Sequence, residues 1–385
     1  MANRDFITTI NRLRFGHSTV PAHLARLGIV ESSYCTFCNN SRKLVQFQTK
    51  QQSVLEGGGQ ILRMSVSLSA ILRIPIRVTN IRANRSKPGL AAQHLSGIRL
   101  VADMCKAKVK GDFIGSKEIE LIPGAITGGL YEVDTGTAGS ISLLLQVALP
   151  CALFADSPVT LVLRGGTNVQ MAPQIDYMEH VFRKLLNHFG ADFNLQIIRR
   201  GYFPRGGGHV RVVINPVNSM RSVEMTTRGE VQGIHGWGFV SGRLTLEVRK
   251  VAMYFSDMRR HIWSMYVLCV HSLQCTMSSG LVLGCDALGR QGQRPYDTGA
   301  QCGRILREML SSGTCLDSHA QDQLIIYMCI AKGESKISVN EITLHTKTAM
   351  HVAKLVAKVN FTVREEHPRH IIECHGLGLE NKNLE

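Results

Sequence analysis

Arg200-Gly201-Tyr202-Phe203-Pro204-Arg205-Gly206-Gly207-Gly208-His209 runs straight into an alternating apolar segment at 210–214, and no other stretch of the chain is as distinctive. Three successive glycines bare backbone N–H groups that can approach an anion closely. The flanking arginines favour one electrostatically, so the stretch reads as a phosphate-facing loop. The alternative is a tight β-turn. A second triple glycine stands far upstream in Glu56-Gly57-Gly58-Gly59-Gln60, where it opens onto an apolar-periodic helix. Two such loops point to a repeated unit.

The chain has 385 residues, 44% of them hydrophobic, enough for a sizeable core and two domains. Its formal net charge of +15 points to a polyanionic partner, because such a field raises the local concentration of phosphates. Residues 1–19 are polar, and the longest apolar run, 141–155, is interrupted by Gln146 and Pro150. No signal peptide or membrane span is read. Eleven cysteines without disulfide-like spacing argue for reduced thiols in the cytosol or nucleus. Cys35 and Cys38 have a zinc-like spacing, but no further pair of ligands follows in a standard spacing.

From Gln60, the positions Ile61, Leu62, Met64, Val66, Leu68, Ile71 and Leu72 predict a buried helix, followed by a strand within 74–81. Glu56 lies on the loop before that helix. A carboxylate beside an anion-binding loop makes sense when a cation bridges it to phosphate, as Mg²⁺ does; otherwise it is a helix N-terminal Glu favoured by the dipole. Arg82, Arg85 and Lys87 punctuate a loop closed by Pro88-Gly89, with Gln93-His94 opening the next helix. Guanidinium forks match two phosphate oxygens at once, so this reads as a phosphate grip, or else as a solvated loop. Two further small-residue loops follow, Asp134-Thr-Gly-Thr-Ala-Gly-Ser140, entering a helix that carries Gln146, and Gly165-Gly-Thr-Asn168 with Ala172-Pro173. None contains the Gly-Lys-Ser or Gly-Lys-Thr of a Walker loop. Near the end, Asp322-Gln323 heads an apolar helix, and His345 follows a strand at 337–343 and enters a helix over 347–359. A helix N-terminus disfavours imidazolium, keeping a neutral nitrogen nucleophile, and attracts phosphates; a lone histidine is otherwise structural. Strands, glycine loops and helices in alternation predict an α/β domain of repeated units.

The pattern Arg-Gly-x-x-Pro-x-Gly-Gly-Gly-x-Val at 200–210 resembles the signature of the RNA 3′-terminal phosphate cyclases. The segments at 56–63, 82–90, 165–168, 171–176, 321–323 and 343–346 stand in that family's order, so the resemblance covers about 54–380. It implies an α/β (α+β) fold of three sheet-plus-helices units, with a smaller inserted α/β domain of thioredoxin-like topology. The core is then 51–226 and 314–385, and the insert 227–313. It implies that His345 becomes AMP-bound, that Gln146, Pro173, His319, Asp322 and Gln323 contact ATP, and that Arg63, Arg82, Arg85 and Gln93 hold RNA phosphate or nucleotide. By the same resemblance Glu56 binds the metal, Mg²⁺ or Mn²⁺, the substrate is RNA with a 3′-phosphate end, and the site of action is the nucleus, with the cytoplasm also open. No membrane and no obligate protein partner are implied.

The chain departs from that pattern in three places. His319 stands where relatives carry Tyr. Residues 277–292 lack a strand pair of the insert and the aromatic that relatives place near adenine. The family's first strand, ending in Asp-Gly, is missing or replaced, with 45–48 as a candidate substitute or else an open sheet edge. Residues 6–38 instead resemble the tail of reverse transcriptases from non-LTR retrotransposons, so 1–50 is read as a leader without catalysis. Two other readings stay open at this point: a cyclase-like RNA-binding protein that has lost catalysis, which in its known branch lacks the histidine, and a chimeric product without stable function.

Overall fold

The computed structural model describes residues 32–34, 43–48, 58–239, 270–289 and 295–384. The first unit is built from β1 (Ser32–Tyr34), β2 (Lys43–Gln48), α1 (Gly59–Leu72), β3 (Ile76–Thr79), α2 (Ala92–Met104), β4 (Lys108–Lys110) and β5 (Glu118–Ile122). The second comprises β6 (Gly129–Asp134), α3 (Ile141–Ala152), β7 (Val159–Gly165), α4 (Ile175–Tyr177), a π-helical turn (Met178–Phe182), α5 (Arg183–His188), β8 (Phe193–Arg199) and β9 (Gly208–Ile214). The third is split. β10 (Glu224–Met225) comes before an inserted sheet, and α7 (Ala320–Ile330), β14 (Glu334–Val339), α8 (Leu344–Ala357), β15 (Phe361–Glu366) and β16 (Arg369–His375) come after it.

The three units share one topology. Their sheets run β1-β2-β3-β5-β4, β6-β7-β9-β8 and β10-β14-β16-β15. In each, a parallel pair joined through a helix is followed by two antiparallel pairings. Alternating burial in β7 and β9 marks half-covered strands with helices on one face. This is the three-unit α/β fold expected from the sequence.

In the first sheet, β2 occupies the place of the missing first strand. Val45 pairs with Ile76 and Phe47 with Val78 in parallel register, and Leu44 and Val45 are buried. The segment expected to be a foreign leader thus closes the edge of β3, whose Ile76 and Val78 are wholly buried. β1 adds an antiparallel strand outside it. Cys35, Cys38 and Glu56, the expected metal ligand, lie outside the described residues.

Helix α1 is the hub, packing on α2, α3 and α8. Its three buried serines fold their hydroxyls back on carbonyls, Ser65 to Ile61 (2.7 Å) and Ser67 to both Arg63 and Val147 (2.8 Å each), while Ser69 reaches Ile74 (2.6 Å). Small side chains let α3 approach closely without leaving an unsatisfied polar group. The inserted sheet, β11 (Val231–Phe239), β12 (Val270–Met277) and β13 (Val282–Leu288), is antiparallel and packs against α6 (Pro295–Ser312). Residues 278–281 form the turn between β12 and β13; residues 249–265, whose sequence reads as a basic, mixed helix, lie outside the described residues. Among the described residues no helix is long and apolar enough to cross a membrane.

The Arg200 loop is a structural turn. Arg200 forks onto Asp176 with two bonds of 2.7 Å, and Arg199 Nε donates to the Gly207 carbonyl at 2.6 Å, so neither is held out for a phosphate. A Cβ on Gly201 would sit 2.1 Å from Gly208 N, and one on Gly206 (φ +67°) would sit 2.4 Å from the Thr137 carbonyl. The glycines are there for close backbone approach.

Candidate active site

The N-termini of α1, α7 and α8 converge, and their first turns supply the reactive group. Thr343 caps α8 by accepting from Thr346 N–H at 3.1 Å, which leaves His345 exposed in the first turn. That start is braced from α7, where Gln321 Oε1 accepts from Thr343 N–H (3.2 Å) and the Thr346 hydroxyl (2.8 Å). His345 Nδ1 in turn meets Gln60 Oε1 from α1, and Gln60 Nε2 donates to Asp322 Oδ2 at 2.7 Å.

The chemistry of these three groups fixes the proton positions. An ionised carboxylate only accepts, so the Gln60 amide must turn its NH₂ to Asp322 and its oxygen to His345. An amide oxygen also only accepts, so Nδ1 carries the proton, and in the neutral ring Nε2 then holds the lone pair. The histidine is therefore oriented by a carboxylate acting through an intervening amide. Although Asp322 is half-buried by exposure, the packing around its carboxyl strips enough water to push it up to about 6, against the pull of His345, Arg63 and His319. The sequence places Gln60 in the 56–63 segment at the head of a helix but marks no role for it. A polar residue wholly buried at the start of an apolar helix is the clue that could have marked it.

Beside this relay lies an electropositive cleft lined by Arg63, Gln93, His94, Gly97, Leu143 and Val147. Gly59 is open because a Cβ there would stand 2.5 Å from His94 Nε2 and 3.1 Å from Arg63 Nη1. His94 is held down to about 4, first by burial and then by Arg63 and Arg82, so it is neutral at physiological pH. Its Nδ1 accepts from Ala91 N–H at 3.3 Å, which leaves Nε2–H as a donor facing the glycine loop. Gln93 Oε1 accepts from Ser140 N–H at 2.9 Å, tying the cleft to the loop at 134–140. Arg82 Nη1 donates to the Gly89 carbonyl at 2.9 Å, and Arg85 is exposed on the same loop.

The remaining predicted residues lie on α3, just before α4 and at the start of α7. Gln146 is half-buried on α3 between the cleft residues Leu143 and Val147. The Pro173 carbonyl accepts from the Ser142 hydroxyl at 2.6 Å. Gln323 turns back on its own helix, donating to the His319 carbonyl at 2.6 Å and leaving its buried Oε1 without a hydrogen-bond partner. His319 lies edge-on to Tyr177 at 5.4 Å and 3.9 Å from Asp286, whose carboxyl burial pushes up. Below it, Asp317 accepts from the Tyr177 hydroxyl at 2.7 Å and from Gly284 N–H at 3.0 Å, joining the second unit, the insert and α7. His319 thus stands beside a carboxylate that the sequence reading did not single out.

Comparison with known proteins defines the class. The family described as RNA 3′-terminal phosphate cyclase matches residues 54–363. An RNA 3′-terminal phosphate cyclase of Drosophila melanogaster is 37% identical over 348 residues, spanning 86% of this chain and 96% of that protein. Those of Pyrobaculum aerophilum (36% identical; 84% and 96% covered) and Ignicoccus hospitalis (38%; 78% and 89%) are similar to it as well. This chain belongs to the RNA 3′-terminal phosphate cyclase family. The solved enolpyruvyl transferase NikO of Streptomyces tendae overlies 88% of this chain and 49% of its own at 10% identity, with a TM-score of 0.38, too weak a likeness to bear on function. β2 precedes the matched range, so the strand that completes the first sheet comes from outside the family segment.

Proposed function

We propose that this protein uses ATP to convert an RNA 3′-terminal phosphate into a 2′,3′-cyclic phosphate, with AMP carried on His345. The observation that carries this reading is the Asp322–Gln60–His345 relay, which puts the lone pair of the neutral ring on Nε2 at the N-terminus of α8, beside the cleft of Arg63 and His94 on which Arg82 also acts. Nε2 attacks the α-phosphorus of ATP, the P–N bond forms and pyrophosphate leaves. The proton stays on Nδ1, donated in a hydrogen bond to the Gln60 oxygen, and the charge gained by the ring faces Asp322 through the amide. An oxygen of the RNA 3′-phosphate then takes the AMP and the P–N bond breaks. The neighbouring 2′-hydroxyl attacks the 3′-phosphorus, AMP departs and the hydroxyl proton goes to solvent. That last step is intramolecular and gains from proximity, so it does not call for a dedicated base.

Arg63, Arg82, Arg85 and Gln93 would hold phosphate oxygens, with neutral His94 adding a donor. Gln146, Pro173, His319 and Gln323 would border the nucleotide. Among the described residues no three His, Cys, Asp or Glu side chains converge on a metal position. Glu56 is the proposed ligand of an ion held otherwise by substrate oxygens, and Mg²⁺ or Mn²⁺ would neutralise phosphate charge there. Nuclear action, with the cytoplasm also open, is part of the same proposal. The reading is tested by incubating the protein with ATP, a divalent metal and RNA carrying a labelled 3′-phosphate. Label that becomes phosphatase-resistant, and is released only after the cyclic end is opened by acid, is expected. Label that stays phosphatase-sensitive with folded protein would overturn it.

A further inference from the structure

An RNA whose 3′-phosphate sits in the cleft must leave it across the protein surface, and the first unit carries a surface suited to that strand. Arg82, which borders His94, binds the carbonyl of Gly89, and Gly89 packs so closely on Gly115 that a Cβ would stand 2.2 Å from the Gly115 carbonyl oxygen. The two loops are tied by Gly115 N–H to the Leu90 carbonyl (2.8 Å) and Leu90 N–H to the Ser116 carbonyl (2.9 Å). At the tip of the second loop, Phe113 and Ile114 hold their side chains 62% and 67% exposed. Arg85, Lys87 and Lys117 stand exposed on these same loops. The one acid at the tip, Asp112, is clamped by Arg99, whose Nε lies 3.2 Å from the carboxylate and whose Nη2 donates to the Asp112 carbonyl at 2.7 Å.

We propose that the β4–β5 turn at 111–117 is a stacking platform for the single-stranded nucleotides just upstream of the RNA 3′ end. An exposed aromatic ring amid cations is what sequence-tolerant binding of single strands requires: bases stack on the ring and phosphates meet the charges. The chain of contacts from Arg82 through Gly89 and Gly115 makes the platform continuous with the cleft. The corresponding turn of the second unit offers Phe203 at 79% exposure, but there Arg200 is committed to Asp176 and Arg199 to the Gly207 carbonyl, leaving Arg205 as the exposed arginine of that turn against three exposed cations around Phe113. The proposal identifies where the substrate of the proposed reaction lies and rests on that reading for the position of the 3′ end.

The test is fluorescence anisotropy with a single-stranded oligoribonucleotide of about ten residues carrying a 3′-phosphate, long enough to cover the platform. Phe113→Ala/Ile114→Ala is expected to bind it roughly five- to tenfold more weakly, at the low end of base-on-aromatic stacking. Phe113→Tyr, which keeps the ring, is expected to match wild type, as is Phe203→Ala. Because the removed side chains are mostly in solvent, the double variant is expected to melt with wild type. Equal binding by wild type and the double variant, an equal loss in Phe203→Ala, or no RNA binding by wild type would each overturn the platform. Transfer of AMP from ATP to the wild-type chain is scored separately: weakened RNA binding in the double variant without AMP transfer leaves the platform standing and removes the catalytic reading.

Discussion

Gln60→Leu is expected to slow formation of the AMP–protein adduct on the order of 10²-fold, the scale at which loss of a group that orients a functional histidine is felt. Leucine matches the volume of glutamine but neither donates to Asp322 nor accepts from His345 Nδ1. The carboxylate is left in packed surroundings without its donor, and the imidazole is free to carry its proton on Nε2, where the lone pair is needed. A merely structural role is distinguished by the pH profile. Asp322 has a folded-state value of about 6, above its ordinary 3.8, so it is ionised above about 6 and protonated below. Wild-type adduct formation is therefore expected to fall as pH drops through 6, because a protonated carboxyl can donate to the amide oxygen and allow the amide to reverse. In Gln60→Leu that limb should vanish along with the rate. Unchanged rates, or a lower rate with an unaltered profile, would show that the relay does not set the tautomer.

Removing residues 1–50 is expected to be nearly as damaging, for a different reason. It deletes β2 and uncovers the edge of β3 opposite Ile76 and Val78. Burying Leu44 and Val45 is worth about 1.5–3 kcal/mol each, so a loss of about 3–6 kcal/mol before backbone pairing is counted is expected, with a lower melting temperature and a tendency to associate through the opened edge. Val45→Asp in the full chain should reproduce part of the loss by placing a charge among the core residues around α1. Identical melting of the full and truncated proteins would mean that the first sheet does not need this strand.

The repeated unit could be read because each copy announces itself twice, by a glycine loop and by an apolar helix behind it. What the glycine loops do could not be read in the same way. Bare N–H groups and flanking arginines suit an anion, but they equally suit a turn whose backbone must pass within contact distance of its neighbour. The choice depends on Asp176, twenty-four residues from Arg200 and adjacent only in the fold. The same holds for the site. His345, Asp322, Arg63, Arg82 and Gln60 stand in recognisable motifs, but the roles of Gln60 and His94 come from partners on other elements: Asp322 lies 262 residues from Gln60. Val45–Gln48 shows the converse. As a sequence it is one of several short apolar stretches, and its place in the sheet follows from the open edge of β3 that something must cover.

The measurement closest to the central claim is incubation of the purified protein with α-labelled ATP and a divalent metal, beside His345→Ala. The expected result is label on wild type alone, lost in acid and stable in alkali, as a phosphorus–nitrogen bond requires. A cooperatively folded wild type that takes no label, or a His345→Ala protein that takes as much, would contradict it.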